Sequence, residues 1–388
     1  MTMNKKLDFR NILKRFRGLL SLGISDTIGT GISALFWLYL ATLLEVEDFG
    51  EISYLLAIAG MVTAISLLGS KYSISVYVPK NIHLESAFFL IVIIISSTSS
   101  LLLFLIYDNA VLSLYVFGTI IFGLGSAEIV AKKLYTNYSK YLFIQKVMMV
   151  VLSVALYSWF GINGIILGMA LSYFCYMKII IKTFKTTPID FSLLRPRLGF
   201  LINSYLMDIV NNLGKQIDKL ILAPLVGFIL LGNYQLAFQF ISIFNLLPMI
   251  IMKYSLPEDA SGNPNKNLKI VTIIISLCFT ILIIFLSPLI VPIFFQKFIH
   301  VVEIIQILSI SIVFSAVNMM YASKFLGNEK SRIILIGSLL FSASYLIIIL
   351  IIGNSIDVVS VAVVYVISVT IPLVFYVTVD LKNKICKT

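Results

Sequence analysis

Residues 200–222 read FLINSYLMDIVNNLGKQIDKLIL. The run is long and apolar enough to cross a bilayer, which takes about 20 mainly apolar residues in a helix. It nevertheless holds Asn203, Ser204, Asp208, Asn211, Asn212, Lys215, Gln216, Asp218 and Lys219. At about 100° per residue, Ser204, Asp208, Asn211, Asn212, Lys215 and Lys219 fall within about 60° of one line, with Gln216 and Asp218 on its shoulders. Ionisable groups in a span are costly and face a polar interior rather than lipid. Two readings fit: an Asp–Lys network that glues helices together, or the wall of a wet cavity. Glue needs one or two such groups, and a line of about four turns favours the wall.

The same stretch sets the architecture. Residues 18–40, GLLSLGISDTIGTGISALFWLYL, lie 182 positions earlier. In that register Leu19 falls on Leu201, Asp26 on Asp208, Leu38 on Leu220 and Gly50 on Gly232. Lys71-Tyr72-Ser73 falls on Lys253-Tyr254-Ser255, with no gap. Single leucine matches mean little in apolar sequence, but the aspartate, the glycine and the basic triplet in one register are harder to obtain by chance. The first span carries a thinner polar line, Asp26, Thr30 and Ser33, with Trp37 where the later copy has Lys219.

Working outward, apolar runs of spanning length occupy Leu19–Leu43, Ile52–Leu68, Ala87–Tyr107, Ala110–Val130, Tyr141–Phe160, Ile162–Ile181, Phe200–Leu222, Phe228–Met252, Ile270–Phe294, Val301–Ala322, Ile333–Ile352 and Val358–Val379. The two narrowest separations are at Gly161 and near Val226. Composition agrees: of 388 residues, 60% are hydrophobic and 12% charged. A soluble domain carries about a quarter charged residues, so most of this surface must face lipid.

The net charge of +11 follows from where the lysines and arginines lie. With the N-terminus placed inside and sides alternating, 25 of 29 basic residues fall on the inside and only Lys297 on the outside, while Lys146, Lys215 and Lys219 lie within spans. Basic residues collect on the cytoplasmic side of short loops, so the charge needs no nucleic-acid partner. The expected fold class is an all-α membrane protein of about twelve spans in two parallel six-helix repeats, both termini cytoplasmic. Its parts are a basic amphipathic tail (1–18), an N-terminal bundle (19–181), a linker (182–199), a C-terminal bundle (200–380) and a short tail (381–388). The first tail reads either as an interfacial segment touching anionic lipid or as a positive flank that sets orientation. The first apolar run is too long for a signal peptide and reads as a retained helix.

Other chemistry is excluded or weak. Cys175, Cys278 and Cys386 form no CxxC, and His83 and His300 are isolated, so no metal site and no His-based nucleophile is expected. Lys146 is a further cation within a span. Gln235 and Gln239 share a face of the eighth span, and Gln306 and Asn318 mark the tenth. Interhelical hydrogen bonding explains each of these amides taken alone. Gly164-xxx-Gly168 allows close helix approach, and Pro288, Pro292 and Pro372 are candidate kinks.

Several stretches resemble bacterial polysaccharide exporters. They are the turn Leu43–Tyr54 (LLEVEDFGEISY), the segments Gln216–Leu222 and Leu231–Ala237, and the short motifs Phe160–Gly164 and Leu326–Lys330. The topology resembles the superfamily of multidrug, oligosaccharide-lipid and polysaccharide exporters (MATE-like), and within it the O-antigen flippase branch called Wzx. The lipid II flippase branch is similar but has fourteen spans. The resemblance implies a flippase, not an enzyme, in the bacterial inner membrane, in O-antigen and lipopolysaccharide biosynthesis. It implies movement of an undecaprenyl-pyrophosphate-linked oligosaccharide to the periplasmic leaflet by alternating access. Implied partners are that lipid-linked oligosaccharide, membrane lipids, and polymerase and chain-length regulator proteins of the pathway.

The residues suit such a cargo. Lys215, Lys219 and Lys146 can meet a pyrophosphate; Asn211, Asn212, Gln235, Gln239 and Asn318 can meet sugars. Asp26 and Asp208 are candidates for coupling or gating through protonation, although Asp208 could equally pair with Lys215. No cofactor is expected beyond proton or sodium coupling. A cation-coupled multidrug antiporter of the same superfamily would favour a carboxylate-rich cavity. A membrane polysaccharide polymerase or ligase would need a large outside loop with Arg and His, and none is present.

Overall fold

The computed structural model describes residues 3–260, 264–298, 301–328, 330–352 and 357–385, with side chains described from Gly23 onward apart from a few positions that include Asn211 and Lys215. Among these residues the chain is helical, with no strand. In order the helices are α1 (Met3–Leu43), α2 (Val46–Ser66), α3 (Ser70–Tyr77), α4 (Glu85–Tyr107), α5 (Ala110–Ala131), α6 (Tyr135–Tyr173) and α7 (Met177–Thr186). They continue as α8 (Leu198–Ala260), α9 (Lys266–Phe294), α10 (Val301–Gly327), α11 (Ser331–Ile352) and α12 (Val358–Ile385). Among the described residues, ten helical segments are long and apolar enough to cross a membrane. The protein is a multi-pass membrane protein of the all-α class read from its sequence.

Two of the ten segments are too long for one pass. Tyr135–Thr186 has 52 residues and Gln216–Leu256 has 41, against about 20 for a crossing. Each is broken by one glycine, at the two narrow separations in the sequence. Gly161 sits at φ 56°, ψ −137° within α6, and Gly227 at φ 78°, ψ 172° within α8. A side chain is strongly disfavoured in either conformation. A Cβ at either glycine would meet no neighbour, so glycine is required there for the backbone and not for space. With α8 taken from Leu198 and the two glycine breaks each separating two passes, the described helices offer the expected twelve.

Past Gly161 the second arm of α6 folds back onto the first. A Cβ on Gly164 would overlap the Leu156 carbonyl, and one on Gly168 would overlap the Ser153 backbone. The Ser153 hydroxyl donates to the Ile165 carbonyl at 3.0 Å across the same contact. The Gly-xxx-Gly spacing is therefore the packing device its pattern suggested. Pro288 and Pro292 lie inside a continuous α9, and Pro372 inside α12.

The chain forms two compact units, each described here by itself. The first holds Met1–Ser33 with Leu55–Gln216, and the second holds Ala34–Tyr54 with Ile217–Thr388. In the first, α4, α5, α6 and α7 enclose a core that includes Phe89, Leu112, Ile120, Leu124, Ile165 and Tyr176. In the second, α10 packs against α9 and α12 around Leu231, Ile305, Leu308, Ile312 and Tyr345. Several buried charges in both units have partners, which offset their desolvation. Glu85 at the start of α4, by contrast, is fully buried with no hydrogen-bond partner among the described residues and His83 3.6 Å away. Glu128 of α5 binds Lys132 and the Thr183 hydroxyl of α7. In the second unit Asp259 of α8 binds Lys269 and Ser323, and Lys324 of α10 binds Asp380 of α12.

The 182-residue register reappears in space within the second unit. A Cβ on Gly50 of α2 would overlap the Phe228 carbonyl of α8, and one on Gly232 would overlap the Val46 carbonyl. Val46 and Phe228 are themselves 182 positions apart, as are Gly50 and Gly232. The two contacts are thus copies of each other about a local two-fold. Edge-on rings of Trp37, Phe49 and Phe298 pack beside this crossing.

Candidate functional site

The polar line begins in the first unit. At the start of α8, Ser204 and Asp208 are buried, whereas Ile202 and Leu206 on another face are exposed. The line turns inward and the leucine face outward, as the cost of lipid-exposed charge requires. Asn212 donates to the Asp208 carboxylate at 3.2 Å and to the Asp208 carbonyl at 2.8 Å. Gln216, one turn on, lies against Gly60 of α2, where a Cβ would come within 2.9 Å of its amide nitrogen. Asn211 and Lys215 occupy the same helix, but their side chains, like those of the basic tail, lie outside the described residues.

The same unit builds a second polar patch between α1 and the first arm of α6. Asp26 accepts a hydrogen bond from the Tyr138 hydroxyl at 2.8 Å, and Ser25 donates to Ser139 at 2.6 Å. One turn further along α1, Gly29 leaves room for Leu142 and for the Lys146 side chain, whose Cε would lie 3.7 Å from a Cβ there. A groove of about 180 Å³ opens at this place, lined by Ser25, Ile28, Gly29, Ile32, Ser139, Leu142 and Phe143. Lys146 is partly buried, and among the described residues it has no carboxylate or hydrogen-bond partner. The patch thus brings together Asp26 and Lys146 from the expected set, with Tyr138 added.

The line ends in the second unit, where Asp218 is buried. Its carboxylate accepts from the Lys219 backbone N–H at 2.8 Å and lies 3.4 Å from the Tyr234 hydroxyl. Tyr345 and Tyr365 meet edge-on with centroids 6.2 Å apart, and Phe238 closes on Tyr365 at 5.4 Å. Through Tyr234 the carboxylate adjoins an aromatic cluster built from α8, α11 and α12. The sequence reading placed Asp218 on a shoulder of the line and overlooked its tyrosine. The available signal was that a tyrosine inside a span needs a partner for its hydroxyl.

The expected amides separate by role. Gln235 is buried on α8, and Gln239 is half-buried one turn on. Asn318 donates to the Val369 carbonyl at 3.0 Å, tying α10 to α12, and Gln306 donates to the Ile284 carbonyl at 3.0 Å, tying α10 to α9. Both tie helices together, as interhelical hydrogen bonding predicts.

No protein-family profile matches the chain, and no curated protein matches it in sequence. Solved structures do match. An inward-facing multidrug resistance MATE family transporter of the MOP superfamily superposes with a TM-score of 0.74 at 12% identity, over 95% of this chain and 98% of that one. This chain has the fold of the MATE transporters. An outward-facing MATE family transporter gives a TM-score of 0.61 at 13% identity over 96% of both chains. The lipid II flippase MurJ in an inward closed conformation gives 0.61 at 14% identity, over 96% of this chain and 87% of that one. At these identities the likeness concerns the fold, and the MATE-like fold hosts both drug exporters and a lipid flippase.

Proposed function

We propose that this MATE-like protein is a flippase of the bacterial inner membrane, with both termini cytoplasmic. It moves an undecaprenyl-pyrophosphate-linked oligosaccharide, the O-antigen repeat unit, from the cytoplasmic to the periplasmic leaflet by alternating access. One observation carries this reading: Lys146, a cation within a span, has no carboxylate partner among the described residues and sits beside a groove that also presents Ser25 and Ser139. An ammonium partly withdrawn from water attracts an anion, and a pyrophosphate supplies one. Lys215 and Lys219 offer further positive charge along α8. Asn211, Asn212, Gln235 and Gln239 meet sugar hydroxyls, whereas Asn318, expected among them, is engaged in its tie to Val369. Asp26 and Asp208 couple transport to protons or sodium, and the polymerase and chain-length regulator receive the product.

A second reading, a cation-coupled multidrug antiporter, draws support from the Asp218 setting, because a carboxylate beside an aromatic cluster attracts an organic cation. The two separate in one assay. The purified chain in liposomes should translocate a pyrophosphate-linked oligosaccharide, and K146A and K215A/K219A should stop this while inserting normally. Undiminished translocation by these variants, with efflux of cationic dyes, would replace the flippase reading by the antiporter.

A further inference from the structure

The stretch that joins the end of α7 to the start of α8, wholly within the first unit, belongs to neither polar site. α7 is strongly two-faced. Ile180 and Thr183 are buried on one side. The Ser86 hydroxyl donates to the Thr183 carbonyl at 3.2 Å and to the Thr187 carbonyl at 3.0 Å. Together with the Glu128–Thr183 bond, these contacts fix the rotation of the helix. The other side therefore has no freedom in what it presents: Lys178, Ile181, Lys182 and Lys185 at i, i+3, i+4 and i+7, all exposed.

Beyond α7 the chain continues the same mixture. Ile189 and Phe191 are each 50% exposed, as is Leu198, and Arg195 stands between them, exposed. Arg197 is held differently, 5.3 Å above the Tyr77 ring and bonded to the Leu193 carbonyl. The one carboxylate in the stretch, Asp190, accepts from the Ser192 N–H and hydroxyl at 2.9 and 2.6 Å. Those bonds hold its carboxyl below the usual carboxylate range. It is therefore engaged locally, and among the described residues no carboxylate pairs with Lys178, Lys182, Lys185 or Arg195.

Cations alternating with half-exposed bulky apolar side chains, directly at the end of a span, match one environment. That environment is the boundary of a bilayer, where apolar groups enter the acyl region and lysines reach the headgroups. We propose that the Lys178–Lys182–Lys185 face of α7, with Arg195, Ile189 and Phe191, is a binding surface for anionic phospholipid headgroups. Bound lipid fixes the depth of the linker and hence of the first turns of α8.

The test uses the full-length purified chain in neutral detergent, titrated with phosphatidylglycerol or phosphatidylcholine and read by native mass spectrometry. Each basic residue near a charged surface contributes about a fivefold factor. The wild type should prefer phosphatidylglycerol, and K178Q/K182Q/K185Q should lose at least about tenfold of that preference. K178R/K182R/K185R, which keeps the charge, should retain it. A neutralised chain that keeps the full preference overturns the proposal, and is also the result expected if these lysines serve an acidic protein partner. A charge-preserving variant that loses the preference overturns it too, since charge would then not be the determinant.

Discussion

Two carboxylates in this protein each face a tyrosine hydroxyl, and their surroundings differ. Asp26 bonds to Tyr138 near a groove that carries two serine hydroxyls, with Lys146, which has no carboxylate partner among the described residues, close by at Gly29. Asp218 lies 3.4 Å from the Tyr234 hydroxyl beside a cluster of rings, with its second oxygen taken by a backbone N–H. The first setting is open and offers a positive group. The second is closed and offers a negative one. The same residue pair therefore suits different proposals according to what surrounds it: the Asp26 patch has a cation close by for the flippase reading, and the Asp218 setting has aromatic rings for the antiporter reading. In the flippase reading the Asp26 patch holds cargo and a coupling carboxylate together, whereas the Asp218 setting is what the antiporter reading needs.

The comparison can be broken by substitution. Lys146→Ala should have the largest effect, lowering translocation in liposomes by about 30- to 100-fold, the worth of a hydrogen bond to a charged group. If Lys146→Ala transports normally, the groove beside Asp26 has no special claim on an anion. Asp26→Asn should lower the gradient-driven rate by about tenfold, the effect of one to two kcal/mol, while substrate binding is retained. Equal rates with and without the imposed gradient would mark the loss of coupling, and an unchanged gradient response would place coupling elsewhere. Gly50→Ala and Gly232→Ala should each lower stability by about 1–3 kcal/mol through overpacking, and by similar amounts because the contacts are copies. Thermal unfolding in detergent measures this, and a large inequality would argue against the local two-fold. Tyr138→Phe should be mildest, costing about 1 kcal/mol of stability for one lost hydrogen bond.

Much of the fold was legible because the bilayer imposes a simple rule on hydrophobic length. Even the two narrow separations were visible, since Gly161 and the Val226–Gly227 step interrupt otherwise continuous apolar runs. The repeat was legible through residues whose identity is hard to exchange: Gly50 and Gly232 recur because only glycine permits their crossing. The site was less legible. Charge and amide groups draw attention to Asp208, Asn212 and Lys146, but Tyr138, Tyr234, Tyr345 and Tyr365 read as ordinary aromatic members of apolar runs. The hydroxyls of Tyr138 and Tyr234 gain meaning only when the fold brings them to a carboxylate. Asn318 and Gln306 show the converse, since polarity inside a span marked a helix tie.

The paired glycines have a consequence for how such a chain can be built. An arrangement in which Gly50 meets Phe228 and Gly232 meets Val46 is isologous: one surface complements itself. A single copy of the repeated stretch already holds both sides of this joint, so a second copy is its natural mate. Fusing two copies end to end would keep the joint intact and leave each half free to diverge, as Trp37 and Lys219 have done at matching positions.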